Sequence, residues 1–303
     1  MYDFKDAVIK IENTTLCGAH CIMCPRENYS FPFGIMSLDC FKKVVDETHS
    51  FGIKSMIFGG FGDPLMDNYL KRRLEYVKNN YPDVRMSMIN TGHLLKNENL
   101  ELVCRYLDVI KISNYGFTKS TYERVHGGSL KYEDIKKNID NFLSIDKNFR
   151  PFTIMTFLNL PENHEEMENW KKYYLPLCER IDIWTLHNWG GEYTCKQQIS
   201  VRCRRALTLS DLTFCADGSV SICCFDYNRK LIIGNIINDS FDNIINNDKT
   251  RRIQGILGSD NVTILSSDLI CKNCDQIRDR SDALIFTNDK NMRVGKNSMQ
   301  TFD

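Results

Sequence analysis

Residues 17–24 read CGAHCIMC, which places cysteines at positions 17, 21 and 24. The C-x3-C-x2-C spacing brings three thiols onto one short loop. Thiolates are soft ligands, and three of them can bind three corners of a 4Fe-4S cluster while the fourth iron stays open. A structural zinc ion would normally need a fourth protein ligand, which favours the cluster. The alternative is a zinc-binding or chance cysteine loop.

Alternating strand and helix patterns surround this loop. Short β-branched or apolar runs predict six strands, at residues 7–12, 54–58, 84–90, 109–113, 152–158 and 181–188. Amphipathic segments between them predict helices that include residues 38–49, 68–79, 132–145 and 162–174. This order is typical of βα units around a parallel sheet. We therefore expect an α/β fold, with a partial (β/α)6 TIM-type barrel over residues 1–194.

A second group of cysteines follows the predicted barrel. Cys203, Gly218 and Cys223 form the pattern C-x14-G-x4-C, and the pair Cys271-x2-Cys274 comes later. Residues 209–215 and 219–223 flank a turn sequence and predict a β-hairpin, and residues 241–256 predict a helix. We expect a C-terminal β-hairpin/helix domain over residues 195–282, followed by a polar tail over residues 283–303 that is mobile from residue 288 onward.

The cysteine run after the first strand resembles the signature of the radical SAM superfamily, and the resemblance covers about residues 7–280. It implies that Cys17, Cys21 and Cys24 bind a 4Fe-4S cluster. In that family the open iron chelates S-adenosyl-L-methionine (SAM), and reductive cleavage of SAM gives a 5'-deoxyadenosyl radical. The resemblance also implies an electron donor, a flavodoxin or a ferredoxin.

Further family features imply residues that contact SAM. The segment Gly59-Gly60-Phe61-Gly62-Asp63-Pro64 resembles the one that contacts the SAM amino group, with Asp63 where Glu is usual. Met23 stands where an aromatic residue is usual, and its thioether can still pack on adenine. The expected SAM-contacting residues are Met23, Gly60, Gly62, Asp63, Asn90, Ser113, Asn159 and Asn163. The alternative is that the last four are ordinary polar residues at strand ends.

The second cysteine group resembles the SPASM/twitch domain that follows many radical SAM barrels. The resemblance implies that Cys203, Cys223, Cys271 and Cys274 bind one auxiliary 4Fe-4S cluster, with zinc as the alternative. The full two-cluster domain has a further cysteine where this chain has Arg280, which favours the shortened twitch type. The expected cofactors are thus two 4Fe-4S clusters and SAM.

Composition and charge narrow the choice of partners and compartment. The 303 residues include 39 Lys+Arg and 39 Asp+Glu, so a zero net charge gives no reason to expect nucleic acid or a membrane surface as a partner. The N-terminus lacks the pattern of an export signal, and in a reducing compartment the thirteen cysteines would be free thiols or metal ligands rather than disulfides. We expect a cytoplasmic protein.

In size and cluster content the chain resembles the branch of the family that includes the aminocyclitol dehydrogenase of butirosin biosynthesis. Only sixteen residues precede Cys17, which favours a small polar substrate over a bound peptide. The expected reaction dehydrogenates, or epimerises, a sugar, aminocyclitol or nucleoside-derived alcohol. The alternatives are a radical SAM peptide-modifying enzyme, by epimerisation or crosslinking, and a zinc-binding interaction module.

The predicted catalytic residues lie near the expected substrate mouth. His187, at the end of the sixth strand, offers a base. Cys215 and Cys224 are candidate hydrogen-atom donors for epimerisation. Arg150, Tyr115 and Glu192 are further candidate substrate contacts.

Overall fold

The computed structural model describes residues 2–191, 203–275, 283–287 and 292–295. Within these ranges the strands are β1 Val8–Ile11, β2 Ser55–Phe58, β3 Arg85–Asn90, β4 Val109–Ser113, β5 Phe152–Asn159, β6 Arg180–Thr185, β7 Thr213–Phe214, β8 Ser219–Ser221, β9 Ile232–Asn235, β10 Ala283–Thr287 and β11 Met292–Gly295. The helices are α1 Leu38–Ser50, α2 Leu70–Asn80, α3 Asn97–Tyr106, α4 Lys119–Val125, α5 Tyr132–Leu143, α6 Met167–Tyr174, α7 Arg204–Thr208, α8 Phe241–Asn246, α9 Asp248–Gly258 and α10 Asn261–Ser266.

The first six strands form a parallel sheet in chain order, β1 to β6, with helices between successive strands. All six predicted strands are confirmed, and the architecture is the predicted partial TIM-type barrel. Side chains alternate along β1: Ile9 and Ile11 are fully buried, whereas Val8 and Lys10 line an interior cavity. The barrel is therefore open enough inside to hold a ligand.

The C-terminal part continues the same sheet. β7 pairs in parallel with the free edge of β1, and β8 and β9 follow as antiparallel strands. The predicted hairpin is present, and Gly218 supplies the positive φ of 82° in its turn. A single helix over residues 241–256 is wrong. Asn247 has an extended backbone, and its side chain accepts the N–H of Thr250, so α8 ends there and α9 begins.

The expected tail also differs from the structure. Residues 283–287 form β10, which pairs antiparallel with β6 and in turn with β11. Ala283 and Ile285 are buried against the barrel, so alternation of side chains in ALIFT gives this strand an apolar face. Glu192 and Arg280 lie outside the described residues. None of the described helices has the length and hydrophobicity needed to span a bilayer.

Candidate active site

The cysteine loop directly follows β1 and is held by close backbone packing. Gly62 approaches it so closely that a Cβ there would lie 2.2 Å from the carbonyl oxygen of Thr14. The N–H of Asp63 donates to the carbonyl of Leu16 at 2.8 Å. The glycine of the segment after β2 therefore allows that segment to rest on the start of the loop.

The three loop thiols lie partly buried at one end of the interior cavity. Burial raises the pKa of Cys17 and Cys21, and it raises the pKa of Cys24 to about 11. The neighbouring thiols of Cys17 and Cys24 raise the pKa of Cys21 further. Binding of a metal would have to displace these protons, as in other thiolate sites. Three clustered soft donors fit an iron-sulfur cluster.

Helix α4 ends against the cysteine loop. The carbonyls of Val125 and His126 accept the N–H groups of Ile22 and His20, at 3.0 and 3.2 Å. The His126 ring is fully buried, and its Nδ1 lies 3.2 Å from the Sγ of Cys21. Burial lowers the pKa of His126 to about 3, so the ring is neutral near pH 7. The sequence analysis missed this residue, because 105 positions separate it from Cys21.

A cavity of about 370 Å³ extends from the cysteine loop through the barrel interior. This size falls within the range of small-molecule sites. Most of the predicted site residues line it, namely Cys17, Cys21, Met23, Cys24, Gly60, Gly62, Asp63, Asn90, Ser113, His187 and Cys224. Tyr115 lines it as well. The structure thus brings together residues that end or follow five strands, β1, β2, β3, β4 and β6, with one from the C-terminal part.

Some predicted site residues are not among those that line the cavity. The Asn163 side chain accepts the N–H of Leu160 and donates to the carbonyls of Tyr115 and Leu158, so its amide is used within the chain. The Oδ1 of Asn159 lies 2.9 Å from Nδ1 of His164.

Cys215 and Arg150 also differ from the expected arrangement. Cys215 is 5% exposed and is not among the lining residues. Arg150 precedes β5, at the opposite end from the site, and pairs with both oxygens of Glu179 at 3.1 Å. The guanidinium of Arg150 thus stabilises the start of the strand rather than reaching the cavity.

Asp63 lines the cavity, and its carboxylate already accepts hydrogen bonds from within the protein. Its Oδ1 accepts the N–H of Leu65 at 3.0 Å, and its Oδ2 accepts the hydroxyl of Thr91 at 2.7 Å and the N–H of Thr91 at 3.2 Å. Burial raises the pKa of Asp63, and these hydrogen bonds oppose that rise. The shorter side chain therefore joins the ends of β2 and β3, and its contact with SAM stays a prediction.

Aromatic rings surround His187 at the mouth of the cavity. The ring of His187 lies 4.3 Å from those of Trp189 and Phe225, measured between centroids. Its Nδ1 accepts the backbone N–H of Trp189 at 3.1 Å, so a neutral ring carries its proton on Nε2. In this arrangement the ring is oriented to donate a hydrogen bond. The indole N–H of Trp189 donates to the carbonyl of Met23 at 3.0 Å and covers the cysteine loop.

Polar groups inside the barrel were not singled out from the sequence. Lys111 on β4 is 5% exposed and forms a 3.0 Å ion pair with Asp182 on β6, which also pairs with buried Arg180 at 2.7 Å. The hydroxyl of Thr156 is buried with no hydrogen-bond partner, and it lines the same cavity as Lys111. A charged residue within a buried strand was the available signal, because such residues are almost never buried without a partner.

The second cysteine set, Cys203, Cys223, Cys271 and Cys274, lies near the end of β6, where Asp275 binds Asn188. Burial raises the pKa of Cys223 well above its ordinary value, and the nearby thiols of Cys224, Cys203 and Cys274 raise it further. Burial also raises the pKa of Cys271, and the thiols of Cys274 and Cys203 add to the effect. The four predicted ligands therefore lie close enough to interact.

No three His, Cys, Asp or Glu side chains in the described part of the chain are arranged to hold a single metal ion. Each cysteine of a 4Fe-4S cluster binds its own iron, so cluster ligands surround a larger group than one ion. Ligation by these residues stays a prediction.

Hydrogen bonds and an ion pair fix the second set to the barrel. Asn188, just after β6, accepts the N–H of Asp275 at 3.1 Å and donates its own N–H to the carboxylate of Asp275 at 2.9 Å. Glu12, just after β1, binds Arg229 at 3.2 Å and accepts the N–H groups of Phe61 and Ala216 at 3.3 Å. Both cysteine sets are thereby held on one rigid frame.

Comparisons with known proteins agree with this arrangement. The radical SAM superfamily model matches residues 11–173, and SPASM, an iron-sulfur cluster-binding domain, matches residues 203–275. The second match contains all four cysteines of the C-terminal set. No curated protein sequence matches the chain significantly.

Several solved structures share the fold. BtrN in complex with AdoMet and 2-DOIA superposes with a TM-score of 0.65 at 19% identity, covering 91% of this chain and 94% of BtrN. Streptococcus suis SuiB bound to the precursor peptide SuiA gives 0.70 at 9% identity, covering 91% and 76%. Native anSMEcpe with AdoMet and the Cp18Cys peptide gives 0.65 at 13% identity, covering 91% of each chain. At these identities the likeness shows the fold alone.

Proposed function

Because this chain belongs to the radical SAM superfamily and carries a SPASM domain, we propose that it oxidises a small polar alcohol, a sugar, aminocyclitol or nucleoside derivative, with epimerisation as the related outcome. When bound, the first 4Fe-4S cluster and SAM would supply a 5'-deoxyadenosyl radical, which removes a hydrogen atom from a C–H bond. The enzyme class and the cofactors follow from the family, and the substrate class is the proposal.

One observation carries the proposal: the cavity lined by the first cysteine set also extends to Cys224, next to the predicted auxiliary ligand Cys223. Cys17, Cys21 and Cys24 line one part of it, and Cys224, the neighbour of the predicted ligand Cys223, lines another. A substrate in this cavity would lie between the two cluster sites. After loss of a hydrogen atom, oxidation of an alcohol to a ketone still requires the loss of one proton and one electron, and an adjacent auxiliary cluster can accept that electron.

The polar groups of the cavity favour a ligand with hydroxyl groups. The unpartnered hydroxyl of Thr156 gains a hydrogen-bond partner if such a ligand binds, and an unsatisfied buried polar group is costly. Lys111 and Ser113 add a cation and a second hydroxyl on the neighbouring strand. The rings of Trp189 and Phe225, with centroids 6.5 Å apart, line the same cavity and add apolar surface to it.

The two fates of the substrate radical depend on different residues. For epimerisation, a thiol must return a hydrogen atom on the opposite face, and Cys224 lines the cavity whereas buried Cys215 does not. For dehydrogenation, the chain needs the auxiliary site that contains Cys223. His187 lines the cavity with its ring oriented to donate a hydrogen bond, so we expect it to bind a substrate oxygen.

Peptide modification is the second candidate. SuiB and anSMEcpe share the fold and were crystallised with peptides, and aromatic side chains at the mouth, including Phe61 and Trp189, can also bind a peptide.

The proposal also includes an electron donor and a location. The first cluster must be reduced for each cleavage of SAM, so we propose a flavodoxin or a ferredoxin as the donor. We propose a cytoplasmic location.

The test is an anaerobic assay of the reconstituted protein with SAM, a reductant and panels of aminocyclitols, sugars, nucleosides and short peptides. Formation of 5'-deoxyadenosine should rise above the background with a polyhydroxylated member, and its product should lack two hydrogens. Stimulation by peptides alone would overturn the proposed substrate class.

Matched cysteine variants separate the two reactions. For dehydrogenation, Cys223→Ala abolishes product formation, whereas Cys224→Ala and Cys215→Ala retain it. For epimerisation, Cys224→Ala abolishes inversion and the incorporation of solvent deuterium, and Cys215→Ala retains both. Loss of activity in Cys215→Ala alone would contradict both assignments.

A further inference from the structure

His126 caps the C-terminal end of helix α4, and its side chain reaches a thiol that is predicted to bind the first cluster. The distance from Nδ1 to the Sγ of Cys21 is 3.2 Å, within the range for a hydrogen bond to sulfur. Its other nitrogen, Nε2, lies 3.2 Å from the backbone nitrogen of Tyr115. The His126 ring itself has no exposed surface, and both contacts are at least partly buried.

The second contact fixes which nitrogen carries the proton. A backbone N–H can only donate, so Nε2 must accept from Tyr115. A neutral imidazole with an accepting Nε2 carries its single proton on Nδ1. The Nδ1–H group therefore points at the Cys21 sulfur as a donor, and the sulfur is the acceptor.

The ring cannot easily leave this position. It is stacked on Tyr122, with centroids 4.2 Å apart, and on Tyr115, with centroids 5.3 Å apart. The backbone of the same helix end binds the cysteine loop through His20 and Ile22. Loop and ring are thus held by one element, which keeps the donor aligned with the sulfur.

We propose that His126 is a positioning residue that raises the reduction potential of the SAM-binding cluster by donating a hydrogen bond to the Cys21 sulfur. A reduced cluster carries one more negative charge than an oxidised one, and a donor to its sulfur stabilises the reduced form more. Cys17 receives a backbone donor instead, from Ala19 at 3.5 Å. The inference rests on membership of the family and does not depend on the substrate proposed above.

The test compares three variants with wild type in the fully reconstituted protein. His126→Phe keeps a ring of similar size and removes the donor. His126→Asn places an amide nitrogen near the position of Nδ1 and keeps a donor. Tyr122→Phe is the matched control, because it keeps the stacking and removes a hydroxyl that has no hydrogen-bond partner.

The readout is a redox titration followed by electron paramagnetic resonance, which needs no substrate. The cluster signal that changes on addition of SAM identifies the first cluster. At a fixed potential, His126→Phe should show about a tenfold lower ratio of reduced to oxidised cluster, equal to a midpoint about 59 mV lower. His126→Asn should recover most of this difference, and Tyr122→Phe should match wild type.

An unchanged midpoint in His126→Phe with full iron content would overturn the proposal, as would an equal shift in Tyr122→Phe. A second measurement applies if His126→Phe fails to retain iron. Pulsed resonance of wild type labelled with 15N-histidine should then detect a histidine nitrogen and an exchangeable proton coupled to the reduced cluster. Absence of both couplings would also overturn the proposal.

Discussion

Gly127 and Gly128 provide a sharp test of how α4 positions the cysteine loop. Both residues have a positive φ, 75° and 71°. A Cβ on Gly127 would lie 2.0 Å from the carbonyl oxygen of His20, whereas a Cβ on Gly128 meets nothing within 4 Å. Alanine at either position suffers the same backbone strain, but alanine at 127 must also push the loop away.

The magnitude follows from these distances. Left-handed backbone costs an alanine about 1–2 kcal/mol, so Gly128→Ala should lower the free energy of unfolding by that amount. In Gly127→Ala the His20 carbonyl must withdraw by about 1.4 Å, from 2.0 Å to an ordinary contact of 3.4 Å. Overpacking of this kind costs a further 1–3 kcal/mol, roughly, which gives a total of about 2–5 kcal/mol. The same movement displaces Cys21 from its neighbours.

The assay has two parts. Urea unfolding of the metal-free protein gives the free-energy difference between the variants, and iron per chain after anaerobic reconstitution reports the integrity of the first cluster site. We expect Gly127→Ala to lose more stability than Gly128→Ala and to lose iron that Gly128→Ala retains. Equal stability and equal iron in the two variants would refute the claim that α4 fixes the loop.

Three further outcomes are expected. Arg73→Met breaks a fully buried 2.6 Å ion pair with Asp67 and should cost about 3–5 kcal/mol in urea unfolding, whereas exposed Arg72→Met should cost little; equal losses would contradict this. Burial raises the pKa of Glu166, but hydrogen bonds from Thr118 and Phe117 lower it below the ordinary 4.5, so its stabilisation is present at neutral pH and is lost in acid. The difference in unfolding free energy between wild type and Glu166→Gln should therefore shrink below pH 4.5, and a difference independent of pH would contradict this. Reconstituted wild type should hold about eight irons per chain, and a Cys17/Cys21/Cys24→Ala variant about four. About four irons in wild type and none in the variant would contradict the presence of an auxiliary cluster.

The barrel could be predicted from sequence because its strands are short apolar runs separated by amphipathic segments. Each of the six runs needs only local information, since a strand buried in a parallel sheet is apolar along its length. The helical segment of the C-terminal part was predicted less well, because local patterning does not show where one helix ends and the next begins. Residues 241–256 have a continuous helical pattern, and only the capping contact from Asn247 to Thr250 divides it.

The candidate site divides along similar lines. The cysteine spacings and the glycines after β2 are local patterns, and the cavity indeed gathers the first set. His126 and the pair formed by Lys111 and Asp182 act through contacts between distant elements, which no short motif encodes. Asn163 shows the opposite error, because a polar residue at a strand end binds backbone groups instead of facing the cavity.

Strand β1 belongs to both halves of the molecule, since β2 pairs with one of its edges and β7 with the other. Lys10 lies opposite Thr213 and Ile11 opposite Phe214. A slip of one residue would move β7 by about 3.3 Å and turn its side chains to the other face. A C-terminal domain transplanted from another family member must therefore reproduce this pairing frame, and a chimaera joined only by matching linker sequence would separate its two electron carriers by the wrong distance.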